Sequence, residues 1–556
     1  MAASSSLHPV FSSKIRLVAI DLTPGAMLSA SAQGLPSRHP MKTTLIVVGA
    51  CLATLTAAGC SSPGVNHGSG GGSGTGGGTG TGGVGSSGGG GSSGSGGSGT
   101  AGGSGSAGGT GMAPPPTCVE TTSPPSCQTS CANGTTTLTG TVFAPNGTLP
   151  LYNAIVYVPS QATTSETAGV TCGACDGQVS GDPIVTTLTG SDGTFTLANV
   201  PPGAQIPLVV QMGKWRKQTT VNVPSCATTA VDAASTTLPK NSSEGDMPKI
   251  AIATGSVDPF ECLLLKIGID PAEIQPDSAN TRVAFFTAAH SPGTTMSGAT
   301  SATSLYASLT KLLNYDIVVL PCEGGEYDQS TSGGVFGIGG TPLNPDPRGL
   351  MVQYLNMGGR LFTTHYSYDW LTYTGSPFNA ISKTLVNGLW DKDQSDYPQD
   401  DTTTTVAQLV TNFPKGMAFA QWLIAAGAMS AMNTLNIQAI RHDIDDVDPT
   451  LAQSWATDTM TDGKAGIAHL TFNTPLDPTS TIDNPGLYCG RAVFSDFHVA
   501  SDEVTGSGQG QGGGVFPGAC VGGPMTDQEK ALAFMLFDLS SCVQPDGNPP
   551  VAPPIT

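Results

Sequence analysis

The chain has 556 residues, of which only 11% are charged, and its formal net charge is −19 at pH 7. Average soluble proteins have about 25% charged residues, so few charges with abundant Gly, Ser, Thr and Pro favour an exported, loop-rich, β-containing protein over a cytosolic enzyme. An acidic surface repels a phosphate backbone, so nucleic acid is excluded as an expected partner.

Residues 41–60, MKTTLIVVGACLATLTAAGC, form the first recognisable element. Lys42 precedes an apolar run shorter than the roughly 20 residues that span a bilayer, and small residues precede Cys60. This segment resembles a bacterial lipoprotein signal peptide, which implies cleavage before Cys60 and lipidation of that cysteine. Ordinary secretory cleavage is the alternative. We expect translation to start at Met41, which leaves residues 1–40 as an upstream extension without a structural role.

A flexible tether is expected after the signal peptide. Residues 61–112 are almost entirely Gly, Ser and Thr, which bury too little apolar area to offset chain entropy. About 50 such residues have a root-mean-square reach of roughly 40 Å. Residues 113–134, rich in Pro and Cys, are an entry segment, and residues 546–556 are expected to be a disordered tail. We expect the protein in the cell envelope, at the outer membrane or cell surface, with membrane contact through its lipid anchor only.

Residues 135–240 alternate apolar and polar side chains in short runs separated by turns, which predicts an antiparallel β-sandwich. The strand candidates are 138–143, 154–158, 194–197, 208–210 and 219–223. The segments GTVFAPNGTLPLYNAIVYV at 140–158 and SDGTFTLANVPPG at 191–203 resemble the carboxypeptidase regulatory-like domain, a prealbumin-like sandwich related to carbohydrate-binding-like folds. The resemblance implies the fold, and a fold alone does not fix a ligand.

One basic and aromatic cluster interrupts this acidic chain. Lys214, Trp215, Arg216 and Lys217 are consecutive, and an indole flanked by cations suits stacking on a sugar or contact with an anionic surface. We therefore predict ligand binding by Lys214, Trp215 and Arg216. An ordinary exposed strand face is the alternative.

Residues 248–545 alternate short apolar strands with helical patterns. Strands are predicted at 250–253, 283–286, 317–320 and 361–364, and later at 438–441, 466–472 and 491–497. Helices are predicted after an N-cap at Asp258, along the leucines of 305–312, along 350–357, and after the capping box Thr526-x-x-Glu529. The alternation predicts a doubly wound, flavodoxin-like α/β domain, in which ligands bind at the carboxyl ends of the strands.

Three predicted strand ends concentrate side chains that could carry chemistry: Cys322, Glu323, His365, Asp369, Asp496 and His498. His365 and His498 are candidates for a shared ligand set or an acid–base pair, with hydrogen-bonded structural histidines as the alternative. Cys322 beside Glu323 is a candidate nucleophile, because thiolate chemistry needs a basic neighbour, and a free or bridged structural cysteine is the alternative.

The same half carries a second family resemblance. YDIVVLPCEGG at 315–325, MVQYLNMGGRLFTTH at 351–365 and GRAVFSDFHV at 490–499 resemble the ThuA-like (trehalose-utilisation) branch of the class I glutamine-amidotransferase-like superfamily. True amidotransferases place a nucleophilic cysteine on an elbow after the strand that is here 361–364. This chain has His365 there and no cysteine, so glutamine hydrolysis is not expected, and whether the domain is an enzyme stays open.

Two acidic segments, 391–396 and 442–448, cluster oxygen ligands suited to calcium. Neither has the glycine and terminal glutamate of an EF-hand loop, so solvated acidic loops are expected and no metal or cofactor is assigned.

Thirteen cysteines in an exported protein predict disulfides. Cys51 leaves with the signal peptide and Cys60 carries the lipid. An even set lies in the first half and can close three bridges: Cys118, Cys127, Cys131, Cys172, Cys175 and Cys226. An odd set lies in the second half and leaves one thiol unpaired: Cys262, Cys322, Cys489, Cys520 and Cys542. Cys172 and Cys175 are expected to bridge with Cys131 or Cys226.

Three functions are compatible with these patterns. The leading hypothesis is a surface-anchored lipoprotein that binds carbohydrate or an envelope polymer through both domains. The second is a carbohydrate-processing enzyme that uses His365, His498 and Asp496 at the strand ends. The third is a catalytically inert envelope scaffold.

Overall fold

The computed structural model describes residues 131–173, 175, 177, 179–325, 337–338, 341–342, 344–371, 404–429, 433–444, 446–459, 465–476, 488–499 and 514–555. The predicted signal peptide, Cys60, the tether and the acidic segment 391–396 lie outside the described residues. Within the described ranges, no helix combines the length and the apolar character that crossing a membrane requires.

Seven strands lie among the described residues before 240: β1 (Thr137–Thr141), β2 (Ile155–Pro159), β3 (Pro183–Leu188), β4 (Thr194–Ala198), β5 (Gly203–Met212), β6 (Trp215–Val223) and β7 (Thr228–Ala230). They form a three-stranded sheet in the order β4-β1-β7 and a four-stranded sheet in the order β3-β2-β5-β6. Leu138 and Phe195 from the first sheet share one buried core with Val156 and Leu208 from the second. All five predicted strands are present, whereas β3 and β7 were not predicted.

Thirteen further described strands follow: β8 (Ile250–Ala253), β9 (Ile274–Pro276), β10 (Val283–Thr287), β11 (Thr300–Ser301), β12 (Ile317–Leu320), β13 (Gly337–Ile338), β14 (Thr341–Pro342), β15 (Arg360–Thr364), β16 (Thr404–Leu409), β17 (Thr434–Gln438), β18 (Ala452–Thr459), β19 (Ala465–Thr474) and β20 (Gly490–Ser495). Eleven of them form one large sheet, in the order β11-β10-β8-β12-β15-β20-β19-β18-β16-β17 with β9 beside β10. Pairings are parallel from β11 to β20 and antiparallel from β20 to β17. The carboxyl ends of β12, β15 and β20 are therefore adjacent.

The described α-helices are α1 (Ala233–Thr236), α2 (Phe260–Lys266), α3 (Thr303–Tyr306), α4 (Leu309–Leu312), α5 (Pro347–Asn356), α6 (Pro414–Ala425) and α7 (Asp527–Ser540). Two 3-10 helices span Pro271–Glu273 and His365–Leu371. The predicted capping box at the start of α7 is confirmed, because Thr526 and Glu529 each accept the other's backbone N–H. Helix α5 ends before Gly358, whose φ of +113° and close approach to Thr171 O exclude a Cβ atom.

Two predicted elements are corrected. The helix expected along 305–312 is two single turns, because Ser308 is extended and its hydroxyl caps the second turn at the Lys311 N–H. The strand expected at 438–441 ends at Gln438, because the next residue, Ala439, adopts a positive φ of 55° that does not continue a strand.

The disulfide prediction is also corrected. Four disulfides join cysteines within the described ranges: Cys131–Cys226, Cys172–Cys489, Cys175–Cys542 and Cys262–Cys520. Cys172 and Cys175 do not pair with Cys131 or Cys226, because their segment leaves the small sheets and runs beside the large one. There, the Val170 N–H donates to Leu313 O and the Cys175 N–H to Val543 O. An unpaired thiol was expected in the second half, and Cys322 is that thiol.

Residues 135–240 and 248–545 both contribute to the largest hydrophobic cluster. Trp215 of β6 packs on Phe537 of α7 with ring centroids 5.3 Å apart, and both belong to the largest buried cluster. The disordered tail predicted over 546–556 is wrong for its described residues. Asp546 is 1% exposed and pairs with Arg491 at 2.7 Å, and Pro553 O accepts a hydrogen bond from the β3 strand. These contacts hold the C-terminal segment against both parts of the chain.

Candidate functional site

The adjacent ends of β12, β15 and β20 bring three of the predicted site residues into contact. The Sγ atom of Cys322 lies 3.3 Å from Nδ1 of His365, and Nε2 of His498 lies 3.1 Å from the same Nδ1 atom. The three side chains are buried, with Cys322 fully enclosed and the imidazoles 6% and 8% exposed. We call Cys322, His365 and His498 the strand-end cluster.

His365 occupies a sharp turn between a strand and a helix. It follows β15 directly, begins the 3-10 helix, and has a φ of +42°. A positive φ in a residue other than glycine costs of order 1–3 kcal/mol and persists only where the surroundings impose it. The turn directs the imidazole across the strand ends instead of along the sheet.

Cys322 is held by backbone contacts on both sides of the thiol. Its own N–H donates to Thr364 Oγ1 at 2.9 Å, while its Sγ accepts the Gly324 N–H at 3.3 Å and the Tyr366 N–H. Burial nevertheless raises the pKa of the thiol far above its usual range. The side chain is therefore a neutral thiol at neutral pH, which argues against the predicted role of Cys322 as an unaided nucleophile.

The two imidazoles are also neutral. Burial lowers the pKa of His498 to about 3, and burial together with neighbouring His498 and Arg441 holds the pKa of His365 well below its usual range. No imidazolium is present at neutral pH to stabilise a thiolate. Both rings therefore keep lone pairs that can accept a proton or bind a cation.

Two aspartates form a chain of contacts that begins at His365. Asp443 Oδ2 lies 3.6 Å from His365 Nε2, and the Asp443 N–H donates to Asp496 Oδ2 at 2.6 Å. Burial and the Asp443 carboxylate raise the pKa of Asp496 well above its usual range. Asp496, predicted as a catalytic residue, therefore supports Asp443, and Asp443 is the carboxylate that faces His365.

Asp443 was visible in the sequence only as part of the acidic segment 442–448. Other members of that segment serve local turns, because Asp446 accepts the Val447 N–H and Asp448 the Thr450 N–H. Asp445 lies outside the described residues. Asp443 is therefore the aspartate of this segment that contacts the site, whereas Asp446 and Asp448 stabilise the loop.

Asp258 has a different role from the helix cap that the sequence predicts. It was predicted as the N-cap of α2, but that helix has no side-chain cap. Its buried carboxylate instead accepts the Thr364 hydroxyl and the Val499 N–H, which ties the ends of β15 and β20 together. Burial raises its pKa to about 7.

Two other predicted site residues lie outside the strand-end cluster. The Glu323 carboxylate accepts the N–H groups of His290 and Ser291, at 2.6 and 3.0 Å, and burial raises its pKa to about 7. It therefore anchors the loop after β10. Asp369 is 5% exposed within the 3-10 helix and is not a member of the cluster.

The predicted sugar-binding residues at the start of β6 are engaged in ion pairs and packing. Trp215 has no exposed surface, and Arg216 is 4% exposed and pairs with Asp246. The Lys214 ammonium lies 2.6 Å from Asp316. The prediction of a ligand-stacking face at these residues is corrected, because their side chains join the small sheets to the large one.

Glu261 of α2 is a buried carboxyl group whose pKa makes the stability of the protein depend on pH. Its Oε1 accepts the Thr294 hydroxyl at 2.6 Å, and Oε2 has no hydrogen-bond partner among the described residues. Burial raises its pKa from 4.5 to about 7. A proton lost near pH 4.5 in the unfolded chain is thus kept up to about pH 7 in the folded one, so stability present at low pH is lost as pH rises through 7.

We expect Glu261→Gln to be more stable than the wild type by about 3 kcal/mol at pH 8, at 1.36 kcal/mol per pKa unit, and equally stable at pH 4. Denaturant unfolding at both pH values measures the difference. The exposed substitution Glu244→Gln is the control and should change little at either pH. Equal stability of Glu261→Gln and wild type at pH 8 would contradict the expected burial cost.

Comparison with known proteins assigns no family. No protein-family model and no curated protein matches the sequence. A ThuA-like protein from Bacteroides uniformis is 8% identical, with 52% of this chain and 89% of that chain covered and a TM-score of 0.24. A ThuA-like protein from Parabacteroides merdae is 12% identical, with 51% and 98% covered and a TM-score of 0.24. A β-galactosidase from Bacillus circulans is 11% identical, with 45% and 28% covered and a TM-score of 0.19.

Proposed function

We propose that the protein is a carbohydrate-processing enzyme of the cell envelope, anchored through lipid on Cys60, whose active site is the strand-end cluster. The carrying observation is the convergence of Cys322 Sγ and His498 Nε2 on His365 Nδ1 at 3.3 and 3.1 Å. The lipoprotein-like segment at 41–60 supports the location.

We also infer that the parallel strands form a doubly wound, ThuA-like domain and that the two small sheets form a sandwich. The order β10-β8-β12-β15-β20 corresponds to the flavodoxin-like order 2-1-3-4-5, in which ligands bind outside the carboxyl ends of the strands. The ThuA-like segments at 315–325, 351–365 and 490–499 supply the three cluster residues. The resemblance to the trehalose-utilisation branch is the one that supports carbohydrate as the substrate class.

The site geometry favours catalysis over simple binding. Lys214, Trp215 and Arg216 are engaged within the protein, which removes the residues that best supported a sugar-binding surface. At the strand ends, by contrast, neutral imidazoles face one another in a buried site, and Asp443 faces His365. Such groups can orient a sugar hydroxyl or a water molecule by accepting a hydrogen bond from it.

We expect His365→Ala and His498→Ala each to lower turnover of a responsive glycoside by at least about 100-fold, a loss of the size that removal of a positioned catalytic group causes. The assay uses the purified full chain against a panel of glycosides, with melting curves to confirm folding. Lys217→Ala, on the half-buried face of β6, is the matched control and should retain wild-type turnover.

Unchanged turnover in both histidine variants would contradict the catalytic assignment. Retention of the wild type on a polysaccharide column without turnover of any glycoside would favour the carbohydrate-binding function instead. Neither turnover nor retention would favour the envelope scaffold.

A further inference from the structure

The strand-end cluster has the composition and spacing of a metal site. Sγ of Cys322, one ring nitrogen of His365 and one of His498 all lie within 4.8 Å of one another, and all three residues are buried. We propose that Cys322 Sγ, His365 Nδ1 and His498 Nε2 bind a divalent zinc-class metal ion, with a fourth position open to water or substrate. This inference deepens the proposed function by naming what acts at its site.

Two of the three distances between the ligand atoms are close to the edges of a coordination tetrahedron. Zinc lies about 2.3 Å from a cysteine sulfur and about 2.0–2.1 Å from a histidine nitrogen, which in tetrahedral geometry separates two nitrogens by about 3.3 Å and a sulfur from a nitrogen by about 3.5 Å. The observed separations are 3.1 Å between the two nitrogens and 3.3 Å between sulfur and Nδ1. A small outward shift of the side chains admits the ion.

Hydrogen bonds alone do not explain why Cys322 Sγ and His498 Nε2 both lie against His365 Nδ1. A neutral imidazole nitrogen carries either one hydrogen or one lone pair, so it makes one good hydrogen bond. His365 Nδ1 nevertheless faces both Cys322 Sγ and His498 Nε2. A cation between the three atoms uses all three lone pairs at once.

The surroundings orient the proposed ligands as they would in a metal site. Metal-bound histidines usually donate their other ring N–H to a carboxylate or a carbonyl group, which fixes the tautomer. His365 Nε2 faces Asp443 Oδ2 at 3.6 Å, which is longer than a hydrogen bond but places the carboxylate on the side where it could accept the ring N–H. The His498 carbonyl accepts the Gln528 side chain at 2.9 Å, which fixes the backbone that carries the second imidazole.

Backbone groups also suit Cys322 to a metal-bound state. The N–H groups of Gly324 and Tyr366 point at its sulfur, and such donors stabilise the thiolate that a metal requires. On binding, the Sγ–H proton passes to solvent and the sulfur lone pair forms the bond to the metal, with no change in oxidation state.

The ligand types select the metal class. One thiolate and two imidazoles suit borderline transition metals, whereas calcium and magnesium take oxygen ligands. Three protein ligands with an open position are the arrangement of catalytic zinc sites. Copper also accepts a two-histidine, one-cysteine set, so the test includes it.

The first test measures metal binding without a substrate. The full chain is stripped with a chelator, titrated with zinc and in parallel with copper(II), and separately loaded with cobalt(II) as a spectroscopic probe. We expect one zinc equivalent per chain and a thiolate-to-cobalt charge-transfer band. Absence of zinc binding, or binding of copper(II) with exclusion of zinc, would overturn the proposal.

Variants assign the ligands. Cys322→Ser should abolish the charge-transfer band, and His498→Gln should weaken zinc binding at least 100-fold. Asp443→Asn should weaken it about 10–100-fold, the usual cost of losing a supporting carboxylate. His290→Ala is the control, because His290 is an exposed histidine of a neighbouring loop. If Cys322→Ser does not fold, His498→Gln decides. Wild-type affinity in His498→Gln would overturn the assignment.

The outcomes separate this inference from the proposed function. Zinc bound by the cluster, with no glycoside turned over, supports the metal site and contradicts the enzymatic proposal. Glycoside turnover that persists at the wild-type rate in metal-stripped protein supports the enzyme and contradicts the metal site.

Discussion

Replacing Arg491 with methionine is expected to destabilise the protein by about 3–5 kcal/mol, the usual cost of removing one partner from a buried ion pair. Arg491 lies in β20 and is 1% exposed. Its Nη2 atom is 2.9 Å from an Asp538 oxygen and 2.7 Å from an Asp546 oxygen. Its Nη1 donates to Asn473 at 2.8 Å. The guanidinium thus joins the large sheet to α7 and to the C-terminal segment.

The magnitude follows from the balance of charge around Arg491. Lys415 of α6 lies 2.8 Å from Asp538 and 3.5 Å from Asp546, so two cations face two carboxylates in the interior. Lys415 and Arg491 hold the pKa of Asp538 below its usual range, and the two carboxylates raise the pKa of Arg491. Without the guanidinium, one ammonium faces two buried carboxylates, and desolvation is no longer offset.

Denaturant unfolding at pH 7 measures the loss, with Arg491→Met/Asp538→Asn as the charge-matched control. The double variant should recover part of the stability, since it removes one charge of each sign. Because the pKa of Asp538 is lowered, its contribution is present above 3.8 and is lost as pH falls below that value, so the gap between wild type and Arg491→Met should narrow there. A cost below about 0.5 kcal/mol at pH 7 would contradict the network.

The parallel part of the fold was predictable because its strands are continuous apolar runs. Ile250–Ala253 and Ile317–Leu320 are buried at every position, as expected for strands covered on both faces. Parallel strands place their carboxyl ends on one edge, so the meeting of Cys322, His365 and His498 followed from topology. The local sequence pattern was sufficient to predict this meeting, because it locates each strand and the residue at which that strand ends.

Residues whose roles depend on distant partners were not predictable. Asp258 and Thr364 are 106 positions apart, and Asp443 and Asp496 are 53 apart. A carboxylate that accepts a hydrogen bond inside the protein looks, in the sequence, like a helix cap or a solvated loop residue. No periodicity carries this information.

The cluster around Trp215 shows the same limit for charged residues. Lys214 and Arg216 suggested an exposed face, because an isolated charge is almost never buried without a partner. Their partners Asp316 and Asp246 lie 102 and 30 positions away. These ion pairs offset the cost of taking the two cations out of water. The local sequence around Trp215 contains no sign of such distant partners.

Counting the cysteines in each half of the chain could not predict the disulfides that join the two halves. Removing these disulfides should have the second large effect on stability. Cys172–Cys489 and Cys175–Cys542 cross-link residues 317 and 367 positions apart. Each disulfide removed by paired serine substitutions should cost about 2–4 kcal/mol, the typical range. Removing both should cost about 5–8 kcal/mol, which is a large part of the stability of most folded proteins.

The two cross-links should be coupled, because each shortens the loop that the other closes. With Cys175–Cys542 intact, Cys172 and Cys489 are joined through a path of about 56 residues, instead of about 108 residues through Cys131–Cys226 and Cys262–Cys520. Loop-closure entropy then makes the loss of both exceed the sum of the single losses by about 0.6 kcal/mol. Denaturant unfolding of the two paired-serine variants and their combination tests this. Removal of Cys131–Cys226, whose separation is 95, is the control. Strict additivity would show that structure in the unfolded chain, not loop length, sets the cost.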